Sequence, residues 1–195
     1  MKFFSIAGPP WGTREPESEE TARRRFVKTL RNPDNWFHSA RRLIFAMRQL
    51  EPSIIQFWKA LSNQGTSREK DFPIPDVECL SVYLMLAGLA IENLCKGHIA
   101  SHLQPAEKAI LDEGKLPPRL DQQHRIIRLL SETGISLSAD ENELLTRMQD
   151  SIQWLGRYPA PKFSKYLVNE MNAACDIEQI GDLLSRLQAQ IAPDP

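Results

Sequence analysis

The sequence is poor in cysteine and lacks the short motifs of several large enzyme classes. Its three cysteines, Cys79, Cys95 and Cys175, are widely spaced and form no CxxC pair. This argues against a disulfide framework or a cysteine-rich zinc site and favours a reducing cytoplasm. GxGxxG, GxxxxGK[ST], HExxH and GxSxG are also absent, which disfavours P-loop hydrolysis and zinc-peptidase chemistry. We therefore expect neither a metal ion nor a cofactor.

The sequence also lacks an excess of either positive or negative charge, and it lacks long hydrophobic runs. The 24 Lys and Arg residues balance 25 Asp and Glu residues, so a globally basic nucleic-acid binder is not expected, although a local basic patch is compatible with these numbers. The N-terminal apolar run ends at Pro9, before the roughly 7–15 residues that a secretory signal needs. The run Leu80–Ile91 is shorter than the roughly 20 residues of a membrane span. We expect a cytoplasmic protein without a membrane segment.

Apolar residues recur at helical spacing, and no segment alternates as a strand does. We predict an all-α bundle of six to seven helices. The helices are predicted over about 17–31, 34–50, 52–61, 76–102, 122–132, 138–156 and 177–191, with room for a short one after Pro105. The segment 80–91 is apolar on nearly all faces and should lie at the centre of the bundle. Ser138 with Glu141, and Asp176 with Gln179, have the spacing of capping boxes that begin helices.

The polar, proline-bounded residues 62–75 form the clearest boundary in the chain. They predict an N-terminal part over 1–65, with an irregular arm followed by a helical extension, and a helical bundle over 76–192. Two arrangements remain open from the sequence. Residues 1–65 either pack on the bundle or form a separate helical hairpin.

Two i, i+4 pairs on the predicted central helix are candidate functional groups. Glu92 and Lys96 form either an ion pair on the helix face, worth about 0.2–0.5 kcal/mol, or an interior pair that needs further partners. His98 and His102 have a spacing that can bind a metal. Because no third ligand is evident, we interpret these histidines as the polar end of a helix.

The segment 154–161, WLGRYPAP, is the most distinctive in the chain. Locally it is typical of a helix exit, because Gly156 permits a left-handed cap and the prolines impose extended backbone. Trp154 and Tyr158 would cover the core at this corner. Alternatively, Arg157 beside an aromatic ring could hold a phosphate or stack on a base.

A family resemblance covers about residues 76–165. The segment 83–96, YLMLAGLAIENLCK, resembles the AGlaiE-x-x-x-K helix of prokaryotic HEPN-type proteins. The later pieces follow in the same order: His124 opening a helix, GISLS at 134–138, Glu141, two leucines, and Trp-x-Gly-Arg-Tyr-Pro-x-Pro. The resemblance implies a helical bundle that is often dimeric. It also implies either a metal-independent RNase of a toxin–antitoxin or defence system, or a non-catalytic RNA-binding or scaffolding domain.

The catalytic motif of that family, Arg-x(4–6)-His, is not intact after Arg157, where no histidine follows in the required window. Two matches lie elsewhere, Arg31 with His38 and Arg119 with His124. We prefer His124, because it lies inside the resembling region. The resemblance implies His124 as acid and base and Arg157 or Arg119 as the phosphate partner. The other interpretation of His124 is a core-bordering residue that anchors its helix.

Two basic clusters lie outside the resembling region, Arg23–Arg25 and Arg41–Arg42. Each is either a solvated helix face or a stripe that contacts phosphates. Two hypotheses for the whole protein follow. The first is a HEPN-like protein that binds or cleaves RNA without metal, and the second is a non-catalytic module that binds a second copy or another helical protein.

Overall fold

The computed structural model describes residues 18–66, 79–155 and 173–191, and it confirms the predicted all-α bundle. These residues contain seven helices of eight or more residues, one short helix, one π-helical turn and no strand. The elements are α1 (Glu19–Arg31), α2 (Pro33–Arg48), α3 (Glu51–Thr66), α4 (Leu80–Ser101), α5 (Pro105–Asp112), α6 (Ile126–Ser131), α7 (Ala139–Asp150), the π turn (Ser151–Leu155) and α8 (Ala173–Ile191). The predicted arm over 1–16 lies outside the described residues, as does most of the boundary segment 62–75.

The central helix is α4, as its apolar pattern predicts. Of its 22 residues, 13 are buried, because helices α2, α6, α7 and α8 and the π turn pack around it. By length and composition alone this helix could cross a membrane. Its burial inside the bundle accounts for the same composition, since a helix that is apolar all round is typical of a protein core.

Helix α2 packs along α4. This part of residues 1–65 therefore packs on the bundle, which the sequence alone leaves open. The ring of Phe37, near the start of α2, lies against Gly97, near the end of α4. At the opposite end, Tyr83 donates a hydrogen bond of 3.1 Å to Glu51, which begins α3. The two helices are therefore antiparallel. The division of the chain at 62–75 stays a prediction about its organisation.

Close helix packing depends on two glycines of α4. A Cβ atom at Gly88 would lie 2.7 Å from Cδ1 of Ile152, and one at Gly97 would lie 2.5 Å from Cε1 of Phe37. Both distances are shorter than real Cβ contacts. Gly97 is recognised as a packing position only once α2 is in place.

Replacing Gly97 with alanine is expected to lower the free energy of unfolding by about 1–3 kcal/mol, because the rigid Phe37 ring must move. Gly181 in α8 is the matched control, since a Cβ atom added there would have no neighbour within 4 Å. There the same substitution should raise stability by up to about 1 kcal/mol through helix propensity. Chemical denaturation measures both variants, and equal effects would contradict the packing argument.

Helix starts are set partly by local caps and partly by distant partners. The predicted capping box at Ser138 is confirmed: its hydroxyl accepts from the Glu141 N–H at 3.1 Å, and Glu141 accepts from the Ser138 N–H at 2.8 Å. The predicted cap at Asp176 is wrong, because α8 begins at Ala173. Asp176 is instead buried and ion-paired with Arg147 at 2.7 Å.

Two glutamates combine a capping contact with a long-range ion pair. Glu107 accepts from the backbone N–H of Gln104 at 2.9 Å, at the start of α5, and also binds Arg119. Glu141 caps α7 as described and also pairs with Arg186 of α8. Each carboxylate therefore contributes both to the start of its helix and to the packing of that helix on another part of the chain.

Candidate functional site

Glu92 and Lys96 face the interior of the bundle. Their side chains are only 7% and 13% exposed, and the Lys96 Nζ atom lies 2.6 Å from Glu92 Oε1. One helical turn separates the two residues, so the α4 backbone alone brings them together. The second interpretation from the sequence, an interior pair that needs further partners, describes this geometry.

His124 supplies one of those partners from the connection between α5 and α6. Its Nδ1 atom lies 3.1 Å from Glu92 Oε2, so the Glu92 carboxylate contacts a cation through one oxygen and an imidazole through the other. The His124 side chain stays 36% exposed. Within the described residues its Nε2 atom has no hydrogen-bond partner, and this leaves one ring nitrogen for an external group.

The backbone of His124 adopts a left-handed conformation, with φ of 57°. Such a conformation is uncommon for residues other than glycine and costs on the order of 1 kcal/mol or more. The sequence predicts a helix from about residue 122, but α6 begins at Ile126, so His124 lies in the turn before the helix. The turn directs the imidazole onto Glu92.

Trp36 of α2 completes the surroundings of Lys96. The Lys96 Nζ atom lies 5.6 Å from the centre of the Trp36 ring, within the range of a cation–π interaction. The indole Nε1 donates to the carbonyl oxygen of Leu30 at 3.0 Å, which fixes the ring. Sequence reasoning misses Trp36, because nothing local links residue 36 to residue 96.

Cys95 is adjacent in sequence to Lys96 but is not available for chemistry. Burial, and next the charge of Glu92, raise the pKa of this thiol far above its ordinary value. The thiol therefore stays protonated and packs as a small apolar group in the core.

Arg119 lies between two carboxylates. Its Nη1 atom is 3.3 Å from Glu107, and its Nε atom is 3.0 Å from Glu132. Only 29% of its side chain is exposed. This arginine links the start of α5 to the end of α6, and its charge is already offset by two acids. The sequence pattern Arg-x(4)-His does not reveal this engagement.

Arg125 and Arg128 are cations that no motif in the sequence singles out. Both are exposed, and within the described part of the chain their side chains make no hydrogen bond or ion pair. Arg125 directly follows His124, and Arg128 is three residues further along α6. Arg128 is two residues from both the buried Ile126 and the buried Leu130, about 160° around a helix, and this spacing could have identified it as outward-facing. Arg125 precedes the helix and has no such signal.

Arg157 and Tyr158 lie outside the described residues. Trp154 belongs to the π turn, but its side chain is not described. Their predicted roles in holding a phosphate or stacking on a base stay predictions.

His98 and His102 lie side by side at the end of α4, with ring centres 4.5 Å apart. Burial first, then the charges of His102 and Arg119, lower the pKa of His98. Nδ1 of His102 lies 2.9 Å from the carbonyl oxygen of His98. In the ranges 18–66, 79–155 and 173–191, no group of three or more metal-binding side chains converges.

Comparison with known proteins returns nothing to set beside this geometry. No family model, no curated protein and no solved structure matches the chain.

Proposed function

We propose that the protein is a cytoplasmic HEPN-like protein of a bacterial defence or toxin–antitoxin system that binds and cleaves RNA without a metal ion. The supporting observation is the Glu92–His124 contact. A partly exposed imidazole, bound through one nitrogen to a buried carboxylate, is the arrangement that general acid–base catalysis uses.

In this proposal Glu92 accepts the Nδ1–H of His124 and fixes the tautomer with a free lone pair on Nε2. Nε2 removes the proton of an RNA 2′-hydroxyl, and the 2′-oxygen attacks the adjacent phosphorus. The bond from phosphorus to the 5′-oxygen breaks as the imidazolium of His124 gives the proton it took from the 2′-hydroxyl to that oxygen. The products are a 2′,3′-cyclic phosphate and a 5′-hydroxyl.

The developing negative charge on the phosphate requires cations. Arg157 is the partner that the family resemblance implies. Arg125 and Arg128 are exposed cations close in sequence to His124, and we propose them as additional phosphate contacts. Lys96 has a different role, because it offsets the buried charge of Glu92 and so keeps the carboxylate in place for His124.

A second candidate function is a non-catalytic module that binds a second copy or another helical protein. The ion pairs of Arg119 with Glu107 and Glu132 favour it, because they occupy the arginine of the Arg-x(4)-His match. In this case the Glu92 network stabilises the bundle, and His124 anchors the turn before α6.

Incubation with single-stranded RNA in EDTA distinguishes the two candidates. We expect cleavage that leaves 2′,3′-cyclic phosphate ends, and no cleavage of a substrate with 2′-deoxyribose throughout, because the nucleophile is then missing. Intact RNA together with a folded protein by circular dichroism would contradict the first candidate. Light scattering in the same buffer gives the oligomeric state that the second candidate requires.

A further inference from the structure

The outward face of α2 combines unpaired positive charge with an exposed aromatic ring. Arg41, Arg42 and Arg48 are exposed, and their side chains have no hydrogen-bond or ion-pair partner in the described ranges. Phe45 lies among them with 68% of its surface exposed, the largest value among the exposed large hydrophobic residues of the ranges that the structure describes. We call these four residues the α2 stripe.

Helical geometry places the α2 stripe on one side of the helix. At 100° per residue, the four positions fall within about a third of a turn, and Arg41 and Arg48 are separated by about 10 Å along the axis. The buried residues that pack on the bundle are centred about 110° around the helix from the stripe at 100° per residue; they are Phe37, Ala40, Ile44 and Met47. Packing therefore forces this helix to present the arginines and the phenylalanine to the outside together.

The only acid of α2 is Asp34 in its first turn, about two turns before Arg41. From residue 35 to residue 50 the sequence contains no aspartate or glutamate. The arginines of α1 differ in this respect, since Arg23 and Arg24 both bind Glu20 at 2.6 and 2.7 Å. The arginines of α1 thus fit the interpretation as a solvated helix face with ion pairs, whereas those of α2 do not.

At the C-terminal end, the stripe leads into an open groove of ≈ 550 Å³ at the start of α3. The groove is lined by Arg48, Glu51, Pro52, Ile55, Gln56 and Lys59. Glu51 is bonded to Tyr83, whereas Ile55 is 42% exposed. Lys59 and Ile55 thus extend the positively charged and apolar surface of the stripe beyond α2.

We propose that the α2 stripe binds single-stranded RNA, with Phe45 stacking on a base while Arg41, Arg42 and Arg48 contact the neighbouring phosphates. A base can stack on the exposed ring, and phosphates can pair with arginines that have no carboxylate partner. A single strand offers both at regular intervals, whereas the bases of a duplex are already stacked. The inference rests on the proposed function only in choosing RNA as the polynucleotide.

Fluorescence anisotropy with a short labelled oligouridylate tests the aromatic contact. Phe45→Ala should weaken binding by about ten-fold or more through loss of stacking. Phe26→Ala is the control, because Phe26 is an exposed phenylalanine of α1 outside the stripe, and it should leave binding unchanged. Equal affinities of both variants and the unsubstituted protein would overturn the proposal.

The salt dependence of the same binding tests the arginines. Replacing Arg41, Arg42 and Arg48 together by glutamine should reduce the slope of log K against log salt by about 2, since each phosphate contact on a single strand contributes roughly 0.7. The control replaces the exposed residues Lys28, Lys108 and Lys115, which removes the same charge elsewhere. An equal change of slope in both triple variants would show non-specific attraction and overturn the proposal.

Two further measurements distinguish RNA binding by the α2 stripe from membrane binding and from the proposed cleavage reaction. Vesicles of phosphatidylcholine with one quarter phosphatidylserine should not compete with the oligouridylate, and binding to vesicles without binding to RNA would overturn the proposal. The labelled oligouridylate carries 2′-O-methyl groups, which remove the nucleophile, so that its anisotropy reports binding alone. RNA binding without cleavage would therefore contradict the proposed chemistry alone, and cleavage that does not depend on the stripe would contradict the stripe alone.

Discussion

Replacing His124 with asparagine is expected to slow the metal-free cleavage of RNA by about 10²–10⁴-fold, the usual contribution of a general acid–base residue. Asparagine suits this position for two reasons. It tolerates the left-handed backbone that His124 adopts, and its side-chain N–H can replace Nδ1 as the donor to Glu92. The variant therefore removes Nε2 while it keeps the turn and its contact with α4.

The control is His102→Asn, because His102 is an exposed histidine at the end of α4 and takes no part in the Glu92 contact. It should cleave RNA at the unsubstituted rate. Thermal melting of both variants checks that the fold is kept. Full activity of His124→Asn would show that His124 has a structural role and would remove the acid–base assignment.

Replacing Lys96 with methionine is expected to lower the free energy of unfolding by about 3–5 kcal/mol, since it leaves a buried carboxylate without its ammonium partner. In a chain of this length such a loss lowers the melting temperature by roughly 10 °C. The cation–π contact with Trp36 is lost at the same time. Differential scanning calorimetry measures the change.

Two companion variants show whether the buried charge is responsible. Lys115→Met removes an ammonium from an exposed pair with Glu113, in which the side chains are 71% and 62% exposed, and should change stability by less than about 1 kcal/mol. Adding Glu92→Gln to Lys96→Met should restore much of the loss, because no charge is then left unpaired. If the double variant is no more stable than Lys96→Met, the loss arises from packing and not from electrostatics.

The sequence predicts those parts of the fold that depend on nearby residues. The apolar character of α4 identifies the central helix, and the Ser138–Glu141 spacing identifies the start of α7. Asp176 has a comparable local signal, yet α8 begins three residues earlier, at Ala173. Asp176 therefore lies inside α8, where its carboxylate forms a buried ion pair with the distant Arg147, a partner that the local spacing does not reveal.

In the candidate site, too, contacts between residues close in sequence can be predicted, whereas contacts between distant residues cannot. Glu92 and Lys96 are brought together by one helical turn, so their contact can be predicted from the sequence. His124 and Trp36 reach them from two other parts of the chain, and no local pattern contains that information. The spacing from His124 points to Arg119, but tertiary structure commits this arginine to Glu107 and Glu132.

Glu107 and Glu141, which both cap a helix and join it to another part of the chain, have a consequence for helix docking. Helix initiation is usually a local event, whereas docking depends on residues far apart in sequence. The local cap of α5 and of α7 can form as soon as the helix does, and docking then places an arginine on a carboxylate that the helix already holds in position. In both helices, capping thus preorganises the acid for the tertiary ion pair, so that less side-chain entropy remains to be lost on docking.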